Sequence, residues 1–345
     1  MSRMCGFILV LLGVCVCLSG CSRPAGETAA TGVAATNRKH VVLRIGHQRA
    51  DPLNLLKLRG DLEKRLAPAG VSVEWLNFTA GLPLLEALGV GSIDIGSTGD
   101  SPALFAQAAG TPLVYIANIP LGEHAEDGEA IIVPKNSPIR SVQDLKGKKI
   151  AFQKASGSHN LLLQHLQKAG IAYSDIQPLY LAPPDARVAF ESGKIDAWVV
   201  WDPFLAVAIK QSGARIIANR VGINTPGAFY LSSRKFAEEH PELIKIVLEE
   251  VDRASEWSYQ HPQETADLLA RNTGVDKETL TFLLQRRSRT GARSIDEKII
   301  AAQQTSADNF YKIGLLPRKI DVREATLTPA QYALLAPADR KNVRP

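Results

Sequence analysis

The chain has 345 residues, 45% of them apolar and 22% charged, with a formal net charge of +5. That length exceeds what one compact core usually holds, so two lobes are expected, and the composition excludes a disordered, collagen-like or polytopic membrane protein. The basic residues are interspersed with acidic ones, which leaves no electrostatic case for nucleic acid.

Cys5, Cys15, Cys17 and Cys21 all lie in the first 21 residues. The body therefore holds no thiol nucleophile, zinc thiolate site or disulfide. Arg3 precedes an apolar run from Phe7 to Leu18, followed by Ser19, Gly20 and Cys21. Twelve residues of helix rise about 18 Å, short of the roughly 30 Å hydrocarbon core, so export fits better than a permanent span. The Leu18-Ser19-Gly20-Cys21 tetrapeptide resembles the lipobox of bacterial lipoproteins. It implies a signal peptide over residues 1–20 and a lipidated Cys21 at the start of the mature chain. Residues 21–39, rich in Ala, Thr, Gly and Ser, read as a flexible tether.

From His40 the chain alternates. Val41–Ile45 reads as strand, Leu53–Leu66 as one helix, Val71–Trp75 as strand and Pro83–Leu88 as helix; Ser92–Ile95, Pro102–Ala109 and Leu113–Ala117 repeat the rhythm. A second series runs from Ala130–Val133 through Lys149–Phe152, His159–Ala169, Pro178–Leu181, Asp185–Glu191, Ile195–Val200 and Pro203–Gln211 to Arg215–Ala218. Alternation of this kind predicts parallel sheets covered by helices. After Gly227–Leu231 helical periodicity dominates to Leu316. The expected organisation is lobe 1 from 40–130 plus 230–320, lobe 2 from 131–229, and a tail over 321–345. A cleft would lie between the lobes, at the carboxyl ends of the strands.

Three junctions between strand and helix carry the functional reading. Gly96-Ser97-Thr98-Gly99-Asp100 reads as a small-residue loop entering a helix, Ser156-Gly157-Ser158-His159 as a second, and Thr79-Ala80-Gly81 as a third. Helix N-termini with neighbouring hydroxyls bind anions, although Ser158 or Asp100 can equally serve as ordinary caps. None of the three loops contains arginine, so a singly charged oxyanion such as a sulfonate fits them better than a phosphate dianion. Arg49 and Lys154 are the nearby cations, expected at the solvated rim. Trp201 offers an aromatic wall, while Trp198 should face the other side of its strand. Asp202 before Pro203 is either a helix cap or a ligand contact. Phe229 lies at the second crossing, in the cleft or in the core.

No Gly-x-Ser-x-Gly elbow or His-Glu-x-x-His motif occurs, and His159 and His165 are poorly spaced for a metal pair. The stretch Gly89–Asp100, Phe105–Gly110, Asp144–Gly147, Ala151–Lys154, Ser158–Leu163, Asp175–Pro178, Asp196–Trp198, Trp201–Pro203 and Phe229–Leu231 resembles the aliphatic sulfonate-binding proteins of bacterial ABC transporters, in order from about Leu43 to Val322. The resemblance implies a two-lobed α/β fold of the type II periplasmic-binding-protein kind with two interlobe crossings and a helical C-terminal segment. It implies no enzyme activity, no cofactor and no metal. It also implies a monomer, lipid-anchored outside the cytoplasm, that hands a sulfonate to a permease for sulfur uptake. Around the ligand it places Gln48, Gly81, Ser97, Thr98, Gly99, Asp100, Ser156, Gly157, Ser158, His159, Trp201 and Asp202, with Phe229 as a further candidate. Binding proteins for taurine, nitrate or a pyrimidine precursor share the architecture and are the alternatives. The related pyrimidine synthase carries a cysteine-rich motif that this body lacks. Two departures stand out: Gln48-Arg49-Ala50 replaces the usual Gln-Lys-Gly, and Thr79 stands where proline is common.

Overall fold

The first strand, β1 (Val41–Gln48), buries Leu43 and Ile45 completely and ends at a turn. The structure, a computed structural model, describes residues 41–49, 51–120, 128–286 and 291–335. The signal segment, Cys21 and the tether lie outside the described residues.

Asp51 then starts α1 (Pro52–Arg59): its carboxylate accepts the Asn54 N–H and Pro52 takes the first helical position, where a missing N–H costs nothing. Gly60, at φ +65°, ends that helix and begins α2 (Asp61–Leu66). The single helix expected over Leu53–Leu66 is thus two, because the left-handed turn at Gly60 breaks the hydrogen-bond ladder. β2 (Val71–Phe78) pairs in parallel with β1. α3 (Gly81–Gly89), β3 (Ile95–Gly99), α4 (Asp100–Ala108) and β4 (Leu113–Ile119) come next in the chain.

The predicted strand Ser92–Ile95 is displaced: β3 consists of Ile95-Gly96-Ser97-Thr98-Gly99, so the stretch expected as a loop is strand. Its small residues let neighbouring elements approach on both faces; a Cβ on Gly96 would sit 2.5 Å from the Leu84 side chain.

The second sheet is built from β5 (Glu129–Val133), β6 (Lys149–Phe152), β7 (Gln177–Tyr180), β8 (Ala197–Trp201) and β9 (Arg215–Asn219). Between them run α5 (Gly157–Lys168), α6 (Pro183–Glu191) and α7 (Phe204–Ser212). The chain then returns as β10 (Ala228–Ser233) to the first sheet. The strand orders are β2-β1-β3-β10-β4 and β7-β6-β8-β5-β9. Neither sheet is purely parallel. β10 runs antiparallel to β3 and β4, and β5 runs antiparallel to β8 and β9. In each sheet the antiparallel strand arrives from the other lobe, without the crossover helix that would keep it parallel.

Six helices complete the described chain: α8 (Arg234–Glu239), α9 (Pro241–Gln260), α10 (Pro262–Thr273), α11 (Lys277–Gln285), α12 (Glu297–Lys312) and α13 (Pro329–Leu335). α9 buries Ile244, Val247, Leu248 and Val251 against the first sheet, an apolar stripe of helical period. α10 and α11 meet the second lobe through a cluster in which Val207 of α7 packs with Ala266, Leu269, Val275 and Leu280. α13 returns to α9, and the Tyr332 hydroxyl donates to the Tyr115 carbonyl at 2.8 Å.

Candidate functional site

A cavity of about 280 Å³ lies between the two sheets and is reached by both. Small-molecule pockets commonly span roughly 300–1,000 Å³, so it suits a compact ligand. Gln48, Gly81, Ser97, Thr98 and Gly99 line it from the first lobe; Ser156, Gly157, Trp201 and Asp202 line it from the second. Nine of the expected residues are therefore brought together. Four are not.

Phe229 belongs to the core. It is 1% exposed and meets Tyr115 edge-on at 4.7 Å, because helices cover both faces of the first sheet and leave no open face at β10. His159 is fully buried on α5, tilted against Phe152 and in contact with Phe310. Burial, followed by the positive field of Lys154, lowers its pKa to about 3, so the ring stays neutral. Its Nδ1 accepts the Ala155 N–H, placing the proton on Nε2, which faces the Tyr173 hydroxyl. Ser158 donates to Glu129 at 2.6 Å and is fully buried. Asp100 is an internal junction behind the cavity: its carboxylate accepts from Ser101, from Asn160 of α5 and from Thr225 on the returning crossing.

The remaining contacts sort by what the fold leaves free. Ser97 is held by Asp51, whose Oδ2 accepts its hydroxyl at 2.6 Å and the Gln48 N–H at 2.9 Å. Ser97 thus organises the turn; its proton is not available to a ligand. Gln48 donates to the Ser97 carbonyl at 3.0 Å and is fixed in the same knot. Thr98 differs. Its hydroxyl is buried, the residue is 3% exposed, and the oxygen has no partner among the described residues. It lies against the start of α3, where a Cβ on Gly81 would stand 1.8 Å from Thr98 Oγ1. Glycine is required there by close approach. No side chain caps α3, so its first-turn N–H groups keep their capacity for an anion, whereas at α4 the Asp100 carboxylate accepts the Ser101 N–H at 2.6 Å and Pro102 has no N–H. α5 is capped by Ser156, which accepts the His159 N–H, and a Cβ on Gly99 would stand 3.9 Å from the backbone N of its first residue, Gly157.

Two charged contributors, Arg220 and Glu129, escaped the sequence reading. Arg220, just after β9, lines the cavity with Glu129 at the start of β5; Arg220 Nη2 lies 2.5 Å from Glu129 Oε2. Arg220 Nη1 is buried and unpartnered among the described residues. Arg49 lines the cavity from the turn after β1, its guanidinium 6.0 Å from the Phe204 ring. Arginine thus lines the cavity although none of the three loops contains it. The signal was hidden because Arg220 belongs to the returning crossing, far in sequence from every loop it faces. Lys154 lies 5.4 Å over the Tyr180 ring, in the second lobe.

Trp201 reaches the cavity at the end of β8, while Trp198 is 1% exposed and packs on Phe190, so the strand alternation separates them as expected. Asp202 is a cap: its carboxylate accepts the Ala206 N–H and two bonds at 3.0 Å from Arg286 Nη2, and the residue also lines the cavity. The assembled site offers a hydroxyl with no partner among the described residues, the start of α3, a guanidinium nitrogen and an aromatic wall, which is a means of holding an oxyanion.

The NMT1/THI5 like family model matches residues 66–265. A relative in Escherichia coli (strain K12), provisionally named an aliphatic sulfonates-binding protein, is 42% identical over 88% of this chain and 94% of its own. The alkanesulfonate-binding protein SsuA from Xanthomonas axonopodis pv. citri bound to MOPS superposes with a TM-score of 0.79 at 40% identity, covering 83% of this chain and 98% of that one. The periplasmic aliphatic sulphonate binding protein SsuA from Escherichia coli gives 0.77 at 40% identity, over 88% and 95%. With its two mixed sheets, its crossings and these similarities, the chain belongs to the NMT1/THI5-like family, among relatives that are binding proteins and not enzymes.

Proposed function

We propose that this protein is the extracytoplasmic solute-binding component of an ABC importer, capturing an aliphatic sulfonate between its lobes and presenting it to the permease. The observation that carries this reading is the pair of buried donors that have no partner among the described residues, Thr98 Oγ1 and Arg220 Nη1, in residues lining one cavity from opposite lobes. A buried donor without an acceptor costs on the order of 1–3 kcal/mol, a cost that an oxyanion seated between the two removes. A sulfonate has three acceptor oxygens and stays ionised, so it is able to bridge both donors and the α3 end. Because the donors come from both lobes, bound ligand stabilises the closed arrangement preferentially, and the permease reads that population shift. In this reading the lobes comprise 40–130 plus 230–320 and 131–229, and Cys21 carries the lipid that tethers a monomer to the membrane.

Calorimetric titration of the ligand-stripped mature chain with sulfonates, carboxylates, nitrate and pyrimidines tests the proposal. One-to-one binding of an alkanesulfonate supports it. Heat with carboxylates or pyrimidines and none with sulfonates overturns it.

A further inference from the structure

Resting on the sulfonate reading above, we infer that Arg49 is a specificity-determining residue at the cavity mouth. It favours sulfonates that carry a second acidic group at the far end of a short chain.

The argument is a charge balance around the cavity. Among the described residues, five ionisable side chains line it: Arg49, Asp51, Glu129, Asp202 and Arg220. Each carboxylate already serves the protein. Asp51 accepts from the Gln48 and Asn54 N–H groups and from the Ser97 hydroxyl. Glu129 holds Arg220 and Ser158, and Asp202 holds Arg286 and the Ala206 N–H. A ligand ammonium would have to displace one of these partners, so among the described residues the cavity gives an ω-amino group no open acceptor charge.

Arg49 stands differently. Its guanidinium faces the Phe204 ring at 6.0 Å, and no carboxylate pairs with it among the described residues. It belongs to the first lobe, and Phe204 opens α7 in the second, so the contact spans the cleft. Thr98 is 3% exposed whereas Arg49 is an exposed residue. The cavity therefore has a buried, donor-rich end and an open, cationic end, with Trp201 and Phe204 at 6.5 Å forming an aromatic corner in the second lobe. A head group seated at Thr98 directs its chain along Trp201 toward Arg49. A carboxylate or second sulfonate there meets a fork of donors that pairs with no carboxylate among the described residues. An ammonium is repelled, and a methyl group gains only contact area.

Titration calorimetry with three ligands of similar length, 3-sulfopropionate, 1-butanesulfonate and 3-aminopropanesulfonate, reads this preference as affinity ratios. For the mature protein at an ionic strength of about 20 mM, 3-sulfopropionate should bind roughly 2- to 5-fold more tightly than 1-butanesulfonate, with 3-aminopropanesulfonate weakest. Raising the ionic strength to about 500 mM should shrink the first ratio. Arg49→Gln should bring it to about one, and Arg49→Lys should restore part of it, since the charge remains while the fork is lost. Equal affinities for the dianion and the alkyl ligand, or a ratio that survives Arg49→Gln, overturn this inference alone. Absence of binding by all three overturns the sulfonate reading and this inference with it.

Discussion

On the first lobe's side of the cleft, Gly81, Thr98 and Gly99 bring a hydroxyl and backbone into the cavity, and the room for them comes from missing side chains. On the second lobe's side, Glu129, Arg220, Trp201 and Asp202 fill their wall with large or charged groups that are already partnered, Arg220 Nη1 excepted. One wall depends on shape and fails when atoms are added. The other depends on charge compensation and fails when atoms are removed. The two kinds of failure have different signatures in stability and binding, which makes the contrast testable.

The largest effect belongs to the charged wall. Arg220→Met leaves the Glu129 carboxylate, 3% exposed, with Ser158 alone; breaking such a pair should cost about 3–5 kcal/mol of stability by urea unfolding and also weaken sulfonate binding. The double variant with Glu129→Leu should recover much of the stability without recovering affinity. Recovery of both would show that Arg220 touches no ligand.

The shape-dependent wall comes next. Gly81→Ala should cost about 1–3 kcal/mol through overpacking, as its Cβ would overlap Thr98 Oγ1, and ligand heat should disappear with it. A thermal melt and a titration equal to the parent's would mean that α3 shifts freely, contradicting the tight approach.

Within one strand the contrast becomes sharper. Thr98→Val removes an unpartnered hydroxyl, so binding should weaken by about 1–2 kcal/mol with stability unchanged or raised. Ser97→Ala removes a donor from Asp51 and should reduce stability by about 1 kcal/mol, with the smaller effect on affinity. Reversed effects would exchange the roles assigned to the neighbours.

The smallest effect near neutral pH comes from two buried histidines, one in each lobe. Burial, aided by Lys57, lowers His47 to about 4; burial, aided by Lys154, lowers His159 to about 3. Both folded values lie below the unfolded value of about 6.5, so the unfolded chain binds the extra proton. Their stabilising contribution is fully present above about pH 6.5 and is lost as pH falls toward the folded values. Each contributes at most about 1.4 kcal/mol per pH unit in that window. Chemical denaturation at pH 7, 6 and 5 checks the slope, and His159→Leu should make it shallower; an unchanged slope would show that His159 titrates normally in the fold.

Features that arise from local periodicity and small-residue signals are legible in the sequence. Leu55, Leu58, Leu62 and Leu66 mark the helical region after β1, and the Ser97–Asp100 stretch marks the cavity even though its local structure is strand. Glycine at 81 and the hydroxyl at 98 are visible as residue types, and backbone approach is the reason for their types. Gly60 is equally visible, but the pattern on either side continues at helical spacing and obscures its left-handed turn. Phe229 is ambiguous because an aromatic residue on a strand looks the same whether that face meets a helix or a cleft. His159 is misplaced by the linear pattern because its apolar surroundings come from Phe310, about 150 residues away.

By itself, the sequence determined two α/β series, a helical return and the chemical type of the first wall, since each depends on residues adjacent in the chain. Only the tertiary structure decided which donors are spent and which are spare. Ser97 became a strut because Asp51 accepts its proton, and Thr98 remained available because α3 brings no acceptor to it. Arg220 entered the site because an antiparallel return carries the chain back past Glu129. Hydrogen-bond saturation and burial are properties of neighbours in space, and a linear pattern does not encode them.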